Sequence, residues 1–97
     1  MYAHERNIYN RNLTHERTHI TSLHRQFADQ RGTGKTYCPS EVARALAPKH
    51  WRDHMDAVRE VADQLVANGE LAVFQKGEQI QEKATEAKGP IRLGRIR

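Results

Sequence analysis

Three short stretches of this 97-residue chain carry side chains able to do chemistry. His15-Glu16-Arg17-Thr18-His19 matches H-E-x-x-H, in which two histidines on one helical face hold zinc and the glutamate acts as base. Such a site needs a third ligand. His4, His24 and Asp29 stand in no motif that would supply one, so the stretch reads as a polar, solvated surface. His50 and His54 repeat the spacing and read as flanking a buried Trp51. Gly32-Thr33-Gly34-Lys35-Thr36 matches the second half of the phosphate loop G-x-x-x-x-G-K-[ST]. The loop's first glycine would stand where the chain has Asp29, and the stretch follows a helix instead of a strand. It reads as a helix stop and turn that leaves Lys35 and Thr36 free to contact a single phosphate. Cys38 sits at a helix N-terminus, where a thiol can become reactive. Glu41 disfavours a thiolate there, and no Cys-x-x-Cys partner exists. These stretches assemble no catalytic set, and the expectation is a non-enzyme without cofactor or resident metal.

Charge is the next signal. The net charge of +4 favours an anionic partner. Its distribution is uneven. Residues 51–69 are acidic, with Asp53, Asp56, Glu60 and Asp63 against Arg52 and Arg59. The i,i+4 spacing pairs Arg52 with Asp56 and Arg59 with Asp63. Acids at that density repel phosphates, so this helix is a poor reader of DNA. The basic candidates lie elsewhere: Lys35, Arg44, Lys76, Lys88, Arg92, Arg95 and Arg97. Of these, Lys35, Arg44, Lys76, Lys88, Arg92 and Arg95, together with Thr36, form the expected nucleic-acid contact set. Phe74 is the sole aromatic of the hairpin, and Glu78, Glu82 and Glu86 dilute its charge. Binding a single strand by stacking therefore has little support in the sequence.

The elements that position these residues follow from periodicity and punctuation. A helix is predicted over Ile20–Arg31, stopped by Gly32 and Gly34. Tyr9, Leu13, Glu16, Ile20, Leu23 and Phe27 alternate four and three apart, the spacing of a helical seam that Glu16 interrupts. Residues 1–18 are thus either a helical extension or a disordered polar tail. The second helix starts with its reasons visible: Cys38 at the N-cap, Pro39 at the first helical position and Glu41 where a capping box needs it. It ends at Ala47, before Pro48. A third helix begins near Trp51 or Asp53, buries Met55, Val58, Ala62 and Leu65, and closes at Asn68-Gly69. Leu71–Gln75 is a strand, Lys76-Gly77 turns, and Glu78–Lys88 is a charged loop with a helical turn. Ile91–Ile96 is a second strand. The fold class is mainly α, α+β: a three-helix bundle around Leu23, Phe27, Val42, Leu46, Val58, Ala62 and Leu65, capped by a C-terminal β-hairpin wing. Residues 19–97 form this winged-helix-like domain.

The segments Gly34-Lys35-Thr36, Cys38–Leu46, Trp51-Arg52, Val58-Arg59, Gln75-Lys76-Gly77 and Gly89–Leu93 together resemble a small bacterial family of unknown function with a winged-helix-like fold. The resemblance covers about Ile20 to Ile96. It implies the fold and a bacterial cytoplasmic origin, and no activity. The composition is consistent with that: no run of about 18 apolar residues to span a membrane, no apolar segment near Met1, and a lone cysteine that suits a reducing compartment. Two functional expectations result. One is a nucleic-acid-associated module whose hairpin and helix-two edge contact phosphates without reading sequence. The other is a protein-interaction or dimerisation module that uses the acidic third helix and the N-terminal helix.

Overall fold

The computed structural model describes the backbone of residues 2–96 and the side chains of residues 15–96. Among these residues it contains three α-helices and four strands, in the order α1 (Tyr2–Arg31), β1 (Thr36–Tyr37), α2 (Pro39–Leu46), α3 (Met55–Ala67), β2 (Leu71–Gln75), β3 (Glu78–Ile80) and β4 (Arg92–Arg95). A 3₁₀ turn, Trp51–His54, leads into α3. No described helix is long and apolar enough to cross a membrane. Helix α1 runs back to Tyr2, well beyond Ile20. Its extension makes tertiary contacts: Glu16, which interrupts the apolar seam, accepts a 2.6 Å hydrogen bond from His54 Nδ1, and Arg17 pairs with Glu60 at 2.8 Å. The side chains of Tyr9 and Leu13, and all of Arg97, lie outside the described residues.

The ends of the helices are set by local chemistry. Gly32 (φ 78°) stops α1 and returns its N–H to Ala28 O at 2.9 Å. Glu41 accepts the Cys38 backbone N–H at 2.8 Å through one oxygen and Arg31 through the other, so one carboxylate joins the end of α1 to the start of α2. Helix α3 ends in a Schellman turn, with Glu70 N–H to Leu65 O and Gly69 N–H to Val66 O, both 2.9 Å, and Gly69 at φ 79°.

The expected two-stranded wing is a four-stranded antiparallel sheet in the order β1-β4-β2-β3. Helices followed by this sheet are consistent with a winged-helix-like fold. β2 and β4 pair as expected, Val73 opposite Leu93. The two further strands are very short: Thr36 and Tyr37 pair with Gly94 and Leu93, and Glu78–Ile80 folds back on β2. The loop between β3 and β4 contains the helical turn, Ala87 N–H to Lys83 O at 2.9 Å, and sends Ala84 and Ala87 into the core.

The core joins Ile20, Val42, Val58, Val61, Ala62 and Leu65 of the helices to Tyr37, Leu71, Val73 and Leu93 of the sheet. Leu23, Phe27 and Leu46 pack against it half-buried. At its centre lies a polar residue, the fully buried His24. Its Nε2 is 2.9 Å from Val58 O and its Nδ1 2.8 Å from Tyr37 Oη. A carbonyl only accepts, so Nε2 carries the proton and Nδ1 accepts the Tyr37 O–H. The imidazole is neutral and both nitrogens are satisfied.

Burial lowers the His24 pKa from its ordinary 6.5, and the Val58 hydrogen bond opposes that shift in part. The unfolded chain therefore binds a proton at a pH where the folded chain does not. Stability contributed by neutral His24 is fully present above about pH 6.5. It is lost as pH falls toward the folded-state pKa, at up to about 1.4 kcal/mol per pH unit. In urea titrations between neutral and mildly acidic pH, His24→Gln, whose amide can donate to Val58 and accept from Tyr37 without titrating, should remove this component of the pH dependence. Parallel pH curves for variant and wild type would contradict it.

Candidate nucleic-acid interface

Strand register sorts the sheet residues into two faces, because side chains alternate and paired residues share a face. Tyr37, Leu93 and Val73 face the core. Thr36, Gly94, Ala72, Phe74, Arg92 and Gln79 share the outer face. Phe74 lies across Gly94: a Cβ there would stand 3.0 Å from Phe74 Cε1 and 3.3 Å from Thr36 Cγ2. The missing side chain at Gly94 thus lets an aromatic ring settle on the sheet, and this explains a glycine within a strand.

Cations surround that ring. Arg92 is held by Thr36, with Nε donating to Oγ1 at 2.8 Å and Nη2 to the carbonyl at 3.0 Å. These acceptors are neutral, so Arg92 keeps its full charge while its guanidinium is fixed. Lys76 stands at the tip of the β2–β3 turn, where φ of 51° at Lys76 and 82° at Gly77 give the two-residue geometry that matches strand twist. The Gln75 amide donates to Lys88 O at 2.7 Å, which ties the loop carrying Lys88 to the edge of β2. Two hollows flank the ring. One, about 210 Å³, is bordered by Gly34, Thr36, Phe74, Lys76 and Arg92. The other, about 560 Å³, is bordered by Phe74, Lys76, Glu78, Ile80, Lys88 and Arg92 among others.

Of the sequence-predicted contact residues, Thr36, Lys76, Lys88 and Arg92 converge here, and exposed Lys35 follows the Gly34 rim. Arg44 and Arg95 do not. Arg44 lies at the far end of α2, its guanidinium 4.5 Å from the Trp51 ring centroid, with Arg52 over the same ring at 4.4 Å. Arg95 is opposite Leu71, on the other face from Arg92, and approaches Asp29 at 3.8 Å. It borders a separate cavity of about 370 Å³ with Arg25 and Glu70. There Arg25 grips Glu70 through two hydrogen bonds, which hold the Glu70 carboxyl below its ordinary range.

The acidic helix differs from its expectation. Neither Arg52–Asp56 nor Arg59–Asp63 is among the described ion pairs. Asp63 instead accepts Ala84 N–H at 2.6 Å and the Thr85 hydroxyl at 2.5 Å, because the returning loop offers fixed donors. Arg59 reaches the Ala84 carbonyl at 3.4 Å. Exposed Asp53, Asp56 and Glu60 remain on the helix surface. Among the described residues no three His, Cys, Asp or Glu side chains gather as metal ligands, and Gly32–Lys35 forms the turn between α1 and β1, which Thr36 opens. The Cys38 thiol lies 3.1 Å from Ser40 Oγ.

A family model described as protein of unknown function (DUF3253) matches residues 17–96. No curated protein matches the chain.

The fit of Phe74 over Gly94 makes one prediction. Gly94→Ala forces the ring to shift by a few tenths of an ångström and should cost about 1 kcal/mol or more, the scale of overpacking. Thermal melts read the cost and the ring-proton chemical shifts of Phe74 read the displacement. Unchanged ring shifts would contradict the packing.

Proposed function

The chain belongs to the family of proteins of unknown function DUF3253, and we propose that it is a nucleic-acid-binding module that holds the phosphate backbone on the outer face of its sheet. The observation that carries this reading is the set of Lys76, Lys88 and Arg92 around Phe74. Among the described ion pairs, none of the three is held by a carboxylate, whereas Arg17, Arg25, Arg31 and Arg95 each have an acidic partner. Charge that a chain does not neutralise internally is available to phosphates, and phosphate contacts supply most sequence-independent affinity. A winged-helix-like fold adds only an analogy.

The direction of approach follows from the repulsive side. A helix-turn-helix reader inserts its second helix into the major groove. Here that helix is α3; Asp53 on the 3₁₀ turn that leads into it and Asp56 in its first turn are exposed acids with no partner among the described ion pairs, so the sheet is favoured over the helix and base reading by α3 is disfavoured. The alternative of a basic protein partner on α3 draws less support than the sequence suggests, because Glu60 is bound by Arg17 and Asp63 by the loop.

The test is the salt dependence of binding. For a duplex each phosphate contact contributes about 0.9 to the slope of log K against log salt, so three contacts give roughly −3. Replacing Lys76 and Lys88 by Glu and Arg92 by Gln should bring the slope close to zero while the thermal melt is retained. Arg44→Ala should leave affinity nearly unchanged. Absence of binding at low salt, or a full slope in the triple variant, would contradict the proposal.

A further inference from the structure

Resting on that reading, we propose that the ligand is single-stranded nucleic acid and that one unpaired base stacks on Phe74. The ring is half-buried, seated over Gly94, and walls both hollows, so part of it is offered outward with Arg92 and Lys76 beside it. That arrangement, an aromatic platform in a cationic rim, is the one that holds a base by its π-face while the backbone follows the charges. The larger hollow, about 560 Å³, adds Ile80 and Pro90 as apolar walls. It is of the size that accommodates small organic groups.

A duplex uses the cations but not the ring. Its bases are stacked on one another, and a half-buried side chain on a sheet cannot reach their faces, whereas unpaired bases splay outward onto aromatic side chains. The helix that would read a duplex groove is acidic on its surface. Glu78 orients the strand: it borders the larger hollow but not the smaller one. Its carboxylate repels phosphate and accepts from a base N–H, such as the N3–H of thymine or uracil. The base therefore occupies the larger hollow beside Glu78, and the phosphates lie along Thr36, Arg92 and Lys76, with a flanking phosphate at Lys88. Sequence reasoning sees a solitary aromatic in a diluted basic hairpin; register places that aromatic at the centre of the cations.

The experiment is a fluorescence-anisotropy titration of the full chain at low salt, with labelled oligo-dT and oligo-U of about 20 nucleotides and a duplex of equal length. Wild type should bind a single strand at least about tenfold more tightly than the duplex. Phe74→Leu, which keeps an apolar side chain on the sheet but removes the π-face, should lose about 5- to 100-fold in single-strand affinity. Its salt slope should stay at the wild-type value, and Phe74→Tyr should restore binding. Equal affinity for duplex and single strand, or wild-type binding by Phe74→Leu, overturns the stacking proposal and leaves phosphate binding standing. No binding of any probe at low salt overturns phosphate binding itself.

Discussion

The architecture turns on one buried imidazole. His24 on α1 receives the Tyr37 hydroxyl from β1 and donates to the Val58 carbonyl of α3, so three elements are tied at one point. Each hydrogen bond contributes only about 0.5–1.5 kcal/mol net, but an orphaned partner at this depth costs about 1–3 kcal/mol. The constraint is therefore mainly one of specificity: other packings of the bundle leave a buried donor or acceptor unmet. Burial and the nearby Glu41 charge push the Tyr37 phenol well above its usual range, so it remains a donor. The neutral imidazole and the neutral phenol keep each other in register.

That register is what presents the outer sheet face. Tyr37 is held inward, so Thr36, its neighbour on β1, points the other way and meets Gly94 and Arg92. Glu41 reinforces the same junction by capping α2 and binding Arg31 at the end of α1. From the inside outward, His24 fixes Tyr37, alternation fixes Thr36, Thr36 fixes the Arg92 guanidinium, and Gly94 makes room for Phe74. The Arg92 guanidinium reaches solvent already positioned, which would reduce the ordering cost of binding an anion.

Where local chemistry decides, the sequence is enough. Cys38, Pro39 and Glu41 give the start of α2, and Asn68-Gly69 gives the end of α3. Lys76-Gly77 gives the turn, the apolar run Leu71–Phe74 gives β2, and the alternation of Ile91, Arg92 and Leu93 gives β4. What escapes is set by distant partners. Thr36–Tyr37 has no strand signal of its own and is a strand because β4 lies beside it. His24 looks like one of several histidines until Tyr37 and Val58 are adjacent. The Arg59–Asp63 pairing follows helix spacing, but Ala84 and Thr85 offer Asp63 better-placed donors. In the candidate site, the residue types of Thr36, Lys76, Lys88 and Arg92 are legible and their convergence is not. Arg44 and Arg95 have the same chemistry and lie elsewhere because helix phase and strand alternation send them there. The signal for Phe74 was present as Gly94, a glycine inside a strand that calls for a large neighbour across it.

The most direct measurement of the central claim, that the outer face of the sheet is the contact surface, is residue-resolved NMR shift mapping of the full chain with a short single-stranded oligonucleotide at low salt. The account predicts perturbations centred on Thr36, Phe74, Lys76, Lys88, Arg92 and Gly94, with His24 and the α3 amides unaffected. Perturbations concentrated on Asp53–Glu60 or around Trp51, with the sheet amides unmoved, would contradict it.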